Sequence, residues 1–386
     1  MMVLNFLPVA SGGGLQNSLS FLTTLDLTTR KYFVLCRSGS EIERLCLKLE
    51  IEHLSVRNRV MFEMYGAKKL FAKGTPCFTI FGSPVLSTRD DWINICGVAF
   101  SNLFYPSIDF WGHLGRCGKM MKLLKDCLRK QAIKQADGWI FETGVLAEMS
   151  RKAGFPSNRV FCVPMAVSEI VVRSSDAASS IRFDKSRRTI LYLGAGHPNK
   201  RQHLLPDIVD RLERLAPGSY RIVATMNESS DYARRVLTEI HTRKLSGSFE
   251  NIGPVAPECV GSLVSSVDAM CLLSVLESFS NNFVESWALK KPLFVTDGTW
   301  SRDACHNGVV YIDPKKPSAT ADSIHQTLTS PESIQRVTEA GSAVLATHPS
   351  ASQKTKLYLE VIDKVIALGP CSRISKSQID YGKLLT

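Results

Sequence analysis

The sequence predicts an α/β protein of two successive lobes, each a parallel sheet wrapped by helices, with a cleft between them. Short apolar runs alternate with helix-period segments through most of the chain, the pattern of repeated βα units. The alternation lapses over 167–187, a stretch rich in Ser, Asp, Arg and Ala, and then restarts. The 386 residues are long for one core and comfortable for two lobes of about 150 to 200 residues each.

In the first lobe, 1–166, the apolar runs 3–8, 32–36, 77–81, 92–99, 138–142 and 159–164 predict strands. Ser11-Gly12-Gly13-Gly14 reads as a turn and 15–25 as the helix after it. The segment 167–187 is the inter-lobe connection. In the second lobe, 188–350, strands are predicted at 189–193, 220–225, 267–275 and 293–297. Helices are predicted at 200–215, 230–243, 281–290, 318–329 and 331–346. The final segment, 351–386, holds a helix over about 351–368, able to return to the first lobe, and a polar tail. In open α/β sheets ligands bind beyond the carboxyl ends of strands, so functional residues are expected in the turns that follow strands.

Composition narrows the function classes. The hydrophobic fraction of 44% and charged fraction of 22% are those of an ordinary globular protein. The eleven cysteines are scattered, with no CxxC pair and no histidine pair at ligand spacing, which argues against a zinc site and for a reduced compartment. The opening run 3–10 is short, lacks a basic flank and holds Asn5 and Pro8; it reads as a strand rather than a signal peptide. No run approaches the length of a membrane-spanning helix, and a cytoplasmic protein is expected. The formal charge of +11 favours an anionic partner: a nucleotide, a membrane surface or a nucleic acid. The basic residues are spread out and no nucleic-acid motif is present, so nucleic acid is the weakest of the three.

The segment richest in chemistry is Glu277-Ser278-Phe279-Ser280-Asn281-Asn282-Phe283-Val284-Glu285. A buried strand ends at Leu276, a tight turn follows, and a helix starts near Asn281. Ser280 or Asn281 can cap that helix. Its free N–H groups and positive dipole end form a ready anion site, suited to a diphosphate. Glu277 and Glu285 bracket the site, and an ionised carboxylate accepts hydroxyl donors from a sugar ring or ribose. A glutamate near a helix start also has a plain dipole explanation, so the order of elements around the pair has to carry the inference.

That order runs through buried strand, Glu277, turn, helix with Glu285, Pro292, strand and Asp297. It resembles the E-x7-E segment of the retaining family 4 glycosyltransferases, which have the GT-B fold. Ser280 stands where that family commonly has glycine, and Lys290 replaces the glycine that usually ends the helix. The stretch Leu191-Tyr192-Leu193-Gly194-Ala195-Gly196-His197-Pro198-Asn199-Lys200-Arg201 is similar to the family's phosphate-binding turn. Its lysine falls on Lys200, while its arginine falls on Ala195 and is missing; Arg201 or His197 could substitute. Gly12-Gly13-Gly14 stands where the family has a glycine-rich loop, and Asn251-Ile252-Gly253-Pro254-Val255 resembles the segment that backs the nucleotide base. Val163-Pro164-Met165-Ala166-Val167 sits where V-P-N-G-V is usual. No family histidine is evident after the strand 92–99. The likeness is good across 185–345 and loose across 1–166.

The resemblance implies a GT-B fold of two Rossmann-like lobes with parallel sheets facing a central cleft. The first lobe would take the acceptor and the second the donor. It implies transfer of a sugar from a nucleotide-sugar donor to a saccharide or lipid-linked acceptor, with retention and without metal or cofactor. It places Lys200 and Glu277 at the chemistry. Gly13, Gly14, Gly196, Arg201, Val255, Ser278, Phe279, Ser280, Asn281, Asn282 and Glu285 would surround the donor. Glu277 would hold the transferred sugar's hydroxyls and Glu285 those of the ribose. A same-fold sugar-nucleotide epimerase and a non-catalytic sugar-nucleotide-binding scaffold are the alternatives, the second because of Ala195.

One further segment stands out. Over 116–134, Arg116, Lys119, Lys122, Lys125, Arg129, Lys130 and Lys134 oppose Met120, Met121, Leu124, Cys127 and Leu128 at helical spacing. The simpler expectation is a surface helix whose apolar stripe packs on the first-lobe sheet. The alternative is docking on an anionic membrane surface, which would make the protein peripheral to the inner face.

Overall fold

A computed structural model of the chain describes residues 1–67, 70–88, 90–175 and 183–371. The first lobe is built on a seven-stranded sheet in the order β3-β2-β1-β4-β5-β6-β7. Its strands are β1 Met2–Asn5, β2 Tyr32–Arg37, β3 His53–Val56, β4 Pro76–Thr79, β5 Ile93–Gly97, β6 Gly138–Phe141 and β7 Val160–Cys162. The second lobe has a six-stranded sheet in the order β10-β9-β8-β11-β12-β13. Here the strands are β8 Arg188–Tyr192, β9 Tyr220–Ala224, β10 Phe249–Asn251, β11 Ala269–Leu272, β12 Leu293–Thr296 and β13 Val310–Ile312. Adjacent strands in both sheets pair in parallel. β1, β6, β11 and β12 are buried along their whole length, as parallel strands covered on both faces must be.

The helices of the first lobe are α1 Gly12–Thr23, α2 Glu41–Lys48, the single turn α3 Arg59–Met61, α4 Arg116–Ile133 and α5 Gly144–Lys152. α6 Glu169–Ser174 opens the connection and packs on the second lobe's α9 Pro257–Ser266. That lobe also carries α7 Leu205–Leu215, α8 Asp231–Thr242, α10 Asn281–Ala288, α11 Thr299–Cys305, α12 Pro317–Thr329 and α13 Pro331–Leu345. The last helix, α14 Ala351–Leu368, returns to the first lobe, where Tyr358, Ile362 and Val365 join the core of Leu4, Phe78 and Ile140. A second cluster runs from Phe141 and Phe155 through Met165 and Val171 to Leu263 and Phe283, so the lobes share apolar contact.

Both strand orders reverse direction once, between β1 and β4 and between β8 and β11. Such switch points leave a crevice at the strands' carboxyl ends. The turns after β1, β8 and β11 carry the three motifs singled out above, so topology alone brings them to the cleft.

Several sequence expectations are corrected locally. α1 begins at Gly12, so the glycines form its first turn rather than a loop before it. Gly12 enters at a left-handed φ of 66°, which glycine tolerates without steric cost. The helix expected from Lys200 starts at Leu205 instead, after two short 3-10 turns with Arg201 between them at φ 53°; Pro206 suits that later start. β3, β10 and β13 answer to no predicted strand, each being three or four residues long at a sheet edge. The largest correction is α4. Its apolar stripe does not pack on the sheet: Met121 is 71% exposed and Leu124 63%, and Met120, Leu123 and Leu128 are exposed as well. Only Asp126 and Ile133 of this helix are buried.

Candidate functional site

β8 and β11 are hydrogen-bonded neighbours, so the turns that leave them lie side by side. Val275 N–H donates to the Asn199 carbonyl at 2.8 Å, and Asn199 Nδ2 donates to the Leu276 carbonyl at 3.0 Å. This stitching places Lys200 Nζ 2.6 Å from Glu277 Oε1. The Lys200 carbonyl accepts a bond from the Tyr192 hydroxyl, which fixes the turn from beneath. A cation and a carboxylate are thus held together, both about a fifth exposed, at the carboxyl edge of the second sheet.

α10 starts immediately beyond. Ser280 is its N-cap residue, but neither it nor Asn281 supplies the capping bond expected from the sequence. Asn281 is turned across the cleft instead. Its Nδ2 donates to Gln16 Oε1 at 2.7 Å, and its Oδ1 accepts from Asn17 Nδ2 at 3.2 Å. Gly13 lies so close that a Cβ there would sit 3.2 Å from Asn281 Nδ2. α1 likewise lacks a side-chain cap, and neither helix has an acidic residue in its first turn. Two uncapped helix starts therefore converge from opposite lobes. Their positive dipole ends meet across the neutral amides of Asn281, Gln16 and Asn17, a placement that an anion would stabilise.

Glu285, one turn into α10, is 2% exposed. Gln16 Nε2 donates to its Oε1 at 3.1 Å, while its buried Oε2 has no hydrogen-bond partner. Burial pushes this carboxyl up to about 7 against the opposing Gln16 bond. A buried acceptor without a donor is costly, and a hydroxyl-bearing ligand would satisfy it. Asn282 Nδ2 donates to the Leu193 carbonyl at 3.1 Å and ties α10 to the end of β8. Phe279 packs against Phe283 and His348.

The remaining predicted residues divide. Gly14 packs near Phe81 and Val9, beside the cleft-facing turn of α1. Gly196 abuts Ala233, its lack of a side chain letting α8 approach. Val255 is half-buried against the inter-lobe core. Arg201 has Tyr192, Asp313 and Tyr232 as its electrostatic neighbours and is not drawn to the Glu277 pair. His197 lines the cleft beside Glu277 and Ser278; burial, with help from His113 and Lys200, holds its imidazole below the usual range.

Sequence reasoning missed Gln16, Asn17, Glu142 and Lys354. Gln16 and Asn17 reach α10 from about 265 residues away in the chain, and no local signal marks them. Glu142, just past the end of β6, lies beside Ser278 and Lys354 of α14. Burial raises the Glu142 carboxyl and lowers the Lys354 ammonium, each offset by attraction to the other.

No curated protein sequence matches the chain. Residues 175–344 match the family model described as glycosyl transferases group 1. Among solved structures, the α,α-trehalose-phosphate synthase (UDP-forming) of Burkholderia vietnamiensis superposes with a TM-score of 0.67 at 10% identity, over 95% of this chain and 97% of that one. A glycosyltransferase of Rickettsia africae gives 0.66 at 14% identity, over 95% and 98%. Anabaena HepE, solved with UDP and glucose, gives 0.67 at 11% identity, over 94% and 99%. Likeness at such identities is one of fold, and the fold is GT-B.

Proposed function

We propose that the chain is a retaining glycosyltransferase that moves a sugar from a nucleotide-sugar donor to a saccharide or lipid-linked acceptor. A role in cell-surface polysaccharide or glycolipid synthesis goes with that reading. The observation that carries it is the meeting of two uncapped helix starts beside the Lys200–Glu277 pair and the unpartnered Glu285 oxygen. In the reaction, the bond from the anomeric carbon to the diphosphate oxygen breaks, a bond to the acceptor oxygen forms, and the acceptor's proton departs. Negative charge grows on the leaving diphosphate. Lys200 and the amides of the α1 and α10 starts would stabilise it, an effect worth roughly 3–4 kcal/mol of barrier for one such donor. Glu277 would hold the transferred sugar and Glu285 the ribose, whose hydroxyls would supply the donor that Oε2 lacks.

Support for a lipid-linked acceptor at a membrane comes from α4. Its exposed Met and Leu side chains are flanked by Arg116, Lys119, Lys122 and Lys125. Apolar burial at the headgroup boundary, plus about 1 kcal/mol for each basic residue near anionic lipid, would hold the first lobe to the surface. Among the described residues no helix is long and apolar enough to cross a membrane.

The reading is tested by calorimetry with a panel of nucleotide sugars, followed by nucleoside diphosphate release with and without acceptors. One donor is expected to bind and to turn over only with an acceptor. Conversion of the sugar without acceptor would point to an epimerase, and no donor binding at all would overturn the reading.

A further inference from the structure

We propose that the cleft pocket between the segment after β5 and the carboxyl end of β11 is the acceptor subsite, and that it takes a saccharide carrying an anionic group. The proposal rests on the glycosyltransfer reading above and adds the acceptor's chemistry to it. The pocket has a volume of about 260 Å³ and is lined by Phe100, Asn102, Trp111 and Arg129 from one lobe and by His197 and Glu277 from the other. Its size is below that of sites for drug-sized ligands and suits a single sugar unit. Because Glu277 belongs both to this pocket and to the Lys200 pair, a unit held here lies against the sugar being transferred.

The wall is built rather than incidental. Asp126 of α4, only 8% exposed, accepts from Asn102 Nδ2 at 2.7 Å and from Trp111 Nε1 at 2.7 Å, and pairs with Arg129 Nη1 at 2.9 Å. One buried carboxylate therefore orients three of the lining side chains, two from the segment before α4 and one from the next turn of α4 itself. Burying a carboxylate is unfavourable unless its hydrogen bonds are satisfied, and here every donor it recruits is a pocket residue. Asp126 is thus a positioning residue for the wall.

The ligand class follows from what that wall presents. Aromatic rings at Phe100 and Trp111 suit the C–H faces of a sugar. Arg129 lies over Phe100, 4.5 Å from the ring centroid, and keeps guanidinium N–H groups beyond the one engaged by Asp126. Lys122 lies 4.9 Å over the Trp111 ring, and its charge is felt at His197, which places it on the pocket side of α4. Both carboxylates at the pocket are already paired, Glu277 with Lys200 and Asp126 with Arg129. Nearby Asp109 is paired with Lys119. Of these groups Lys122 is the cation that the pairs leave over, and the Arg129 N–H groups that Asp126 does not engage can still donate to a phosphate or carboxylate.

The test uses the full-length protein with the donor found by calorimetry. Nucleoside diphosphate release is measured with a set of neutral hexoses, the matching hexose 6-phosphates and the matching hexuronates, so that phosphate and carboxylate are told apart. The anionic acceptors are expected to show kcat/KM at least about 10-fold above the neutral ones. Arg129→Gln should remove that preference while the donor Kd stays as it was. Asp126→Asn should raise the acceptor KM more than it changes kcat. Equal use of neutral and anionic sugars, or an unchanged preference in Arg129→Gln, would overturn the proposal. So would a weakened donor Kd in Arg129→Gln, since the pocket would then belong to the donor. A stability loss in Asp126→Asn without any change in acceptor KM would reduce Asp126 to a purely structural role and remove the proposal's footing. If no nucleotide sugar binds, the parent reading fails by itself. Quenching of tryptophan fluorescence by hexose 6-phosphates, present in the wild type and absent in Trp111→Phe and Arg129→Gln, still decides whether the pocket takes an anionic sugar.

Discussion

Replacing Glu285 by glutamine should make the protein more stable and a poorer donor binder at once. The carboxyl is fully enclosed and its pKa stands at about 7 against 4.5 for a free glutamate. Below pH 4.5 it is protonated in both folded and unfolded chains. Between 4.5 and 7 the unfolded chain ionises while the folded one resists, so stability falls as pH rises through this window. Above 7 both forms are ionised and the slope vanishes. At about 1.4 kcal/mol per pH unit the loss comes to about 3 kcal/mol. Glutamine does not ionise, so the offset its buried amide brings does not change with pH. The Glu142–Lys354 pair is common to both proteins and cancels in the comparison. Urea midpoints measured from pH 4.5 to 8 should therefore diverge, with the variant gaining on the wild type until about pH 7 and running parallel beyond. Calorimetry should show the opposite sign for ligand. Hydrogen bonds from donor hydroxyls to an ionised carboxylate contribute about 1.5–3 kcal/mol, so the variant should bind donor roughly 10- to 150-fold more weakly at pH 8. Parallel stability curves over the whole range would refute the assignment of a buried, unsatisfied carboxylate. Unchanged donor affinity would refute its role in binding.

Further outcomes follow from other parts of the structure. Lys200→Ala should lower kcat by roughly 10²–10³, read from nucleoside diphosphate release at saturating donor; a change of only a few-fold would remove Lys200 from the chemistry. Met121→Glu combined with Leu124→Glu should abolish co-flotation with anionic liposomes and leave the melting temperature unchanged, because both side chains stand in solvent. Flotation that persists would assign membrane binding elsewhere. Gly261→Ala should destabilise by about 1–3 kcal/mol, since its Cβ would meet the Val171 carbonyl oxygen at 2.0 Å and force α6 from α9. An unshifted thermal transition would show that this contact yields freely.

What the sequence made legible was local. The Glu277–Glu285 segment could be found because strand end, turn and helix start follow one another within a dozen residues, each with its own composition. Lys200 was legible for the same reason. Its pairing with Glu277 was not, because it depends on β8 lying next to β11. The contacts of Gln16 and Asn17 with α10 require the lobes to face each other at a particular angle, and no periodicity encodes that. The α4 stripe misled because a helical pattern of Met and Leu says that a face is apolar without saying what covers it. Asp126 carries no signal of its own in the sequence: it is a single acid among basic neighbours, and its role depends on Trp111 and Asn102 converging on it.

The return of α14 has a consequence for how the chain matures. The seat of Tyr358, Ile362 and Val365 lies among Leu4, Phe78 and Ile140, yet these partners lie from 218 to 361 residues apart in the chain. On the ribosome the first lobe would wait, with an apolar furrow open to water, while the second is synthesised. That furrow can close only once α14 has been made, and until then its apolar lining is what a chaperone would cover.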